Sequence, residues 1–181
     1  EQNTAVGVSA MTANTTGGFN VAFGKNALAA NTTASGNSAF GNSALDVNTT
    51  GGNNTAIGVN ALGSNTTASN NTAVGSHALF LNTTATKSVA VGFNALYNAT
   101  TGGNNTGVGY EALDNVTDGH DNVGVGRQVL TAVTTGEKNT ALSSAGMGIT
   151  TGENNLVLGY NAGSSASPSG SITTGSNNIC L

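Results

Sequence analysis

The densest cluster of groups able to do chemistry is the stretch EALDNVTDGHDN, which carries Glu111, Asp114, Asp118, His120 and Asp121. Carboxylates this close together are oxygen donors for a hard cation, so Asp114, Asp118 and Asp121 make a candidate Ca²⁺ site. The spacing matches no EF-hand loop, and a solvated turn accounts for the same residues. No other cofactor is implied. His77 and His120, the two histidines, stand 43 residues apart, and neither has a serine or cysteine setting that specifies a nucleophile. GVGRQV, from Gly124, lacks the third glycine and the following helix of a phosphate-binding loop. No paired carboxylates recur at a consistent cleft, so no catalytic residue is assigned and the chain is read as non-catalytic.

Two further groups of residues carry possible surface chemistry. Asn14, Asn31, Asn48, Asn65 and Asn82 each open an NTT triplet, the acceptor pattern for N-glycosylation. Asn53, Asn70, Asn98, Asn104 and Asn115 satisfy it as well. A row of glycans and simple turn chemistry are both open readings. Phe80, Phe93, Tyr97, Tyr110 and Tyr160 are the aromatics expected at the surface, with Phe80 and Tyr97 in one column of the repeat described below. Such a strip can meet a sugar, a protein or another subunit.

Composition narrows the partners. Only 7% of the 181 residues are charged and 4% are aromatic, while glycine occurs 27 times. The basic residues Lys25, Lys87, Arg127 and Lys138 are scattered in a chain of net charge −4. That distribution makes no cationic stripe, which argues against nucleic acid. No apolar run approaches membrane-spanning length, which argues against membrane insertion. Cys180 is alone and makes neither an internal disulfide nor a metal site. Such a polar, small-residue chain would pass for a disordered one on composition. Its periodicity says otherwise.

The elements that must position all these residues follow from a repeat. Taking the glycine of NTAVG as marker, Gly7, Gly24, Gly41, Gly58, Gly75, Gly92, Gly109 and Gly126 recur every 17 residues. Ser143 takes the next slot, the step to Gly159 is one residue shorter, and SSASPSGSITTGS interrupts before a last partial phrase, NNICL. Residues 1–159 are therefore read as regular coils, and 160–181 as an irregular terminal coil leading into a missing downstream region. Just before the marker stand Val6, Phe23, Phe40, Ile57, Val74, Val91, Val108 and Val125. Four residues after it stand Met11, Leu28, Leu45, Leu62, Leu79, Leu96 and Leu113. These two large apolar columns are expected to form the core. Asn3, Asn20, Asn37, Asn54 and Asn71 form a column suited to a ladder of stacked amides. Thr15–Thr16, Thr32–Thr33, Thr49–Thr50 and their successors make a second polar ladder.

Short alternating runs cut by Gly, Asn and Ser are strands and turns. The expected fold is all-β: a parallel β-solenoid, or β-roll, of about ten coils rising about 4.8 Å each. Two large apolar residues per coil make a thin core. Alanine columns on either side of the marker are expected to let several copies pack together, as a homotrimer intertwined or side by side.

NTAVGVSAM, NTAIGVNAL and NTAVGSHAL resemble the head repeats of YadA-type trimeric autotransporter adhesins. NTAIGVNALGSNTTASN looks more like repeats of phage tail fibres, and TTGENNLVLGYNAG and TTGSNNICL are similar to segments preceding a self-cleaving chaperone domain in such fibres. The resemblance covers nearly the whole chain. It implies a homotrimeric parallel β-roll outside the cell or on a virion, although adhesin heads usually use shorter repeats. The functional expectation is a structural and adhesive shaft whose partners are copies of itself and a cell-surface receptor or polysaccharide. Self-assembly into an extracellular filament is the alternative. Ice binding by the threonine rows ranks below it, because neighbouring residues of one strand face opposite ways.

Overall fold

The computed structural model describes residues 2–164 and 172–181. Each phrase makes one very short strand: β1 (Thr4–Val6), β2 (Val21–Phe23), β3 (Ser38–Phe40), β4 (Thr55–Ile57), β5 (Thr72–Val74), β6 (Val89–Val91), β7 (Thr106–Val108), β8 (Val123–Val125), β9 (Thr140–Leu142), β10 (Leu156–Leu158) and β11 (Ile179–Cys180). These eleven strands of the described residues lie in one parallel sheet in chain order. Val6 pairs with Phe23, Phe23 with Phe40 and Phe40 with Ile57, so like sits on like. The chain is a parallel β-solenoid of about nine turns. At about 4.8 Å per strand the sheet runs on the order of 50 Å. Most of the interruption expected before the last phrase, residues 165–171, lies outside the described residues.

The strands are only the best-paired part of each coil. Gly24 N–H donates to Val6 O at 2.8 Å, Asn26 N–H to Val8 O at 2.9 Å, Leu28 N–H to Ala44 O at 3.0 Å and Thr32 N–H to Thr49 O at 3.2 Å. Turns that would otherwise strand polar backbone thus bond to the next coil. Asparagines complete the pattern. Asn20 N–H donates to Asn3 Oδ1 at 2.8 Å, and Asn20 Nδ2 donates to Ala34 O at 2.8 Å. Asn37, Asn54 and Asn71 repeat both bonds. The ladder therefore runs side chain to main chain, with direct amide-to-amide bonds only added later, as from Asn122 Nδ2 to Asn105 Oδ1 at 3.2 Å. Among the described residues no buried side-chain polar atom lacks a partner.

The core is narrower than the apolar columns suggest. Leu28, Leu45, Leu62, Leu79, Leu96 and Leu113 are fully buried and Met11 nearly so, but their column packs against alanines. Ala22, Ala39, Ala56, Ala73 and Ala90 point inward from the strand centres, and Ala27, Ala44, Ala61, Ala78 and Ala95 face them. The expected core column of Val6, Phe23, Phe40, Ile57, Val74, Val91, Val108 and Val125 is corrected: it faces outward. Exposure runs from 39% at Val125 to 56% at Phe23, with Val74, Val91 and Val108 partly covered. In a three-residue strand the centre faces one way and its neighbours the other. The walls are too close for anything large at the centre. At Gly124 an added Cβ would lie 2.9 Å from Val129 Cγ1. Where β10 does carry Val157 inward, the leucine slot becomes Gly163, whose added Cβ would lie 3.1 Å from Val157 Cγ1. The alanine columns line the interior wall, which also corrects their expected role at a contact between copies.

The leucine column adopts φ near +50°, for example 51° at Leu28 and 52° at Leu62. A left-handed non-glycine residue costs about 1–2 kcal/mol. Burying a leucine stabilises by about 1.5–3 kcal/mol, which offsets it. The marker glycines are more demanding. Gly58 has φ 135°, and an added Cβ would sit 2.5 Å from Gly75 O of the next coil. Gly58→Ala is therefore expected to destabilise the chain by about 2 kcal/mol or more, from backbone strain and from the coils being forced apart. Neighbouring Val59→Ala, at an exposed site, should stay within about 0.5 kcal/mol. Urea unfolding followed by circular dichroism separates the two.

Candidate assembly face and surface clusters

The first and third residues of each of β1–β10 stand on the outside, and neither column contains a charge. The third position is a large apolar residue in each of β1–β10, whereas the first is apolar at Val21, Val89, Val123 and Leu156 and carries a hydroxyl at Thr4, Ser38, Thr55, Thr72, Thr106 and Thr140. Phe23 and Phe40 stack with centroids 6.4 Å apart. A strip about 50 Å long and about 10 Å wide, from the strand spacing and width, presents on the order of 500 Å² of uncharged surface per chain, apolar along one column and mixed along the other.

The candidate cation site does not assemble. Asp114 is half-buried in the turn after Leu113. Asp118 replaces a ladder threonine and accepts a hydrogen bond from the Thr101 hydroxyl. Asp121 Oδ2 lies 2.8 Å from His120 Nδ1, while His120 Nε2 lies 2.7 Å from Glu137 Oε1. Among the described residues no three His, Cys, Asp or Glu side chains are placed to hold a metal ion. The expectation for Asp114, Asp118 and Asp121 is corrected: neighbours in sequence, they are spread around one coil.

The expected glycan row is corrected too. Asn31, Asn48, Asn65 and Asn82 are fully buried, and Asn14 is partly so. Their amides are in use: Asn31 Nδ2 donates to Asn14 Oδ1 at 2.8 Å, and Asn48 Nδ2 to Gly51 O at 2.9 Å. A glycan on that nitrogen is incompatible with the folded coil. The column had a readable signal. After Asn82 it continues as Ala99, Val116, Val133 and Ile149, and a position that exchanges asparagine for valine is interior. The exposed acceptors of the same pattern are Asn53, Asn70, Asn104 and Asn115.

The threonine pairs lie in bends, not strands, so the alternation rule does not govern them. Thr15, Thr16, Thr66 and Thr67 are all exposed. The first hydroxyl of most pairs donates along the stack, as Thr15 Oγ1 to Thr32 O at 2.9 Å and Thr49 Oγ1 to Thr66 O at 3.1 Å. The second stands free of such ladder bonds in most coils. His77 is held between Ser76 Oγ, 2.9 Å from Nδ1, and Asn60 Nδ2, 3.2 Å from Nε2. His120 lies more than two coils away, so the histidines do not meet.

Comparison with protein-family models, curated proteins and solved structures returns no match.

Two carboxyls of equivalent turns are titrated by the fold. Burial lifts Asp46 above its ordinary value, against opposing main-chain hydrogen bonds. Burial also lifts Asp114, with the Glu111 charge adding to it. A raised acid binds its proton more tightly folded than unfolded. Stability should therefore fall as pH rises from the ordinary value of 3.8 through the folded one. Asp46→Asn combined with Asp114→Asn should flatten that slope in melting curves recorded between pH 4 and pH 6.

Proposed function

We propose that this chain is a non-catalytic shaft segment of an extracellular or virion fibre, working as a homotrimer whose copies meet on the outward strand face. The observation that carries this reading is the uncharged, in-register outer strip, with a large apolar residue from each of β1–β10, beside an interior made largely of alanine and leucine. A thin interior leaves one chain short of apolar burial. Roughly 500 Å² on each of the meeting copies reaches the lower range of specific interfaces. In a threefold arrangement the strips would converge on one axis and supply a second core. A rigid rod fits mechanical work, since each coil depends only on its neighbours. The likeness of NTAVGVSAM and NTAIGVNAL to adhesin and tail-fibre repeats points the same way.

Sedimentation equilibrium tests this. The expected mass is near three times the 17.6 kDa of the chain. Phe40→Asp with Ile57→Asp should leave coils that still give a β spectrum but sediment as monomers. A monomeric parent chain, or a trimer indifferent to both aspartates, overturns the assembly.

Ice binding is a second reading, favoured by the exposed column of Thr16, Thr33, Thr50, Thr67, Thr84 and Thr101. It requires thermal hysteresis that Thr50→Lys with Thr67→Lys removes. Equal freezing and melting points in the parent chain would end it.

A further inference from the structure

Columns that are the same in every coil are explained by the stack. A local departure has another cause. One and five residues after the marker glycine the outward positions vary: Lys25, Asn42, Ala29 and Asp46 are small or polar, Val8 and Val59 are apolar, and Tyr160 is a lone ring near the end of the stack. In consecutive coils they become Phe93 and Tyr110 in the first column, and Phe80 and Tyr97 in the second. Phe93 and Tyr110 lie nearly parallel with centroids 5.5 Å apart, and Phe80 and Tyr97 are 5.4 Å apart. His77 stands between the two pairs, 5.3 Å from Phe80, 6.3 Å from Tyr97 and 6.4 Å from Phe93.

A polar line runs along the stack between these aromatic walls. Asn60 and His77 are joined at 3.2 Å, and Gln128 Nε2 donates to Glu111 Oε2 at 2.9 Å. Asn94 fills the step between them. Asn60 Nδ2 and Ser76 Oγ lie 3.2 Å and 2.9 Å from the two ring nitrogens of His77, which fixes the plane of the imidazole. Phe93 and Tyr110 remain 44% and 46% exposed, so packing within the chain does not account for them. The fold does not need rings there either, since Lys25, Asn42, Ser76 and Arg127 occupy the same column.

We propose that this patch binds a neutral polysaccharide chain lying along the solenoid axis. A sugar ring offers C–H surface to an aromatic and hydroxyls to planar amides, imidazole and carboxylate, and the patch sets those two chemistries side by side. Equivalent side chains recur about every 4.8 Å along the axis, close to the length of one residue of an extended glycan, so successive sugars meet successive coils. No enclosed cavity exists among the described residues, which suits a chain laid on a surface better than a small molecule. Glu111 and Asp114 at the patch oppose an acidic polysaccharide. The rings do not merge into the continuous apolar core that a protein partner requires, because the polar line divides them.

Affinity electrophoresis in native gels tests the proposal, with hydroxyethylcellulose, xyloglucan, galactomannan or a soluble β-1,3-glucan cast into the gel. Retardation in at least one is expected. Phe93→Ala with Tyr110→Ala should abolish it, whereas Val8→Ala with Val59→Ala, in the same column, should not. Phe93→Asn with Tyr110→Ser, using residue types the column already accommodates, guards against loss through misfolding, and circular dichroism checks each variant. No retardation in any of the four gels, retardation that survives loss of both rings, or stronger retardation by alginate than by every neutral polymer overturns the proposal. Sedimentation reads the assembly separately, so failure of one does not pass for failure of the other.

Discussion

Main-chain hydrogen bonding between equivalent residues of successive coils is the interaction on which the rest of the molecule depends. It is not confined to the sheet. The bonds from Gly24 to Val6, Leu28 to Ala44 and Thr32 to Thr49 tie strand, turn and bend alike to the next coil. Such bonding works only if every coil keeps the same path at the same height. Gly58 shows how tight the tolerance is, because a single added carbon would collide with the carbonyl above it. Asparagine serves the same constraint. Its side chain caps the main-chain N–H that the geometry leaves over, and its amide closes on a carbonyl of the turn.

Flattening follows from this stacking, and the distribution of apolar residues follows from the flattening. Walls close enough to share hydrogen bonds with both neighbouring coils leave room for leucine against alanine. A larger residue enters only when a partner shrinks, as Val129 does over Gly124 and Val157 over Gly163. Valine and phenylalanine of the strands are thereby turned outward. The interior alone makes a modest hydrophobic contribution, and the outer strip is where additional burial is available.

Spacing made the coil legible in the sequence: a constant interval between marker glycines has few structural meanings, and the pairing of Val6 with Phe23 follows from it. Direction was not legible. In a strand as short as Thr55–Ile57, period-two alternation is satisfied with either face inward, and hydrophobicity favours the wrong one. Only the wall separation decides, and that is a tertiary quantity. Asn31 and Asn48 misled for a related reason, since a glycosylation triplet and a buried turn amide are spelled alike. The acidic cluster misled because nearness in a solenoid means an offset of one coil, not of three or four residues. Asp118 meets Thr101, one coil earlier. The aromatic patch was visible as residues, but His77 between the two ring pairs emerged only from the coordinates.

The step from β9 to β10 is one residue shorter than the eight before it, yet Thr140 still pairs with Leu156 and Leu142 with Leu158. Ala145 takes over the carbonyl that Leu130 N–H needs, so the loss is absorbed within a single bend. The upper surface of one coil therefore fits the lower surface of any other of the same length. Slippage during copying of the gene, if it removes or repeats one whole unit, leaves two matching ends to rejoin. The reach of the rod is then a quantity that heredity can adjust in increments of one strand spacing, with no new fold to be found at any intermediate length.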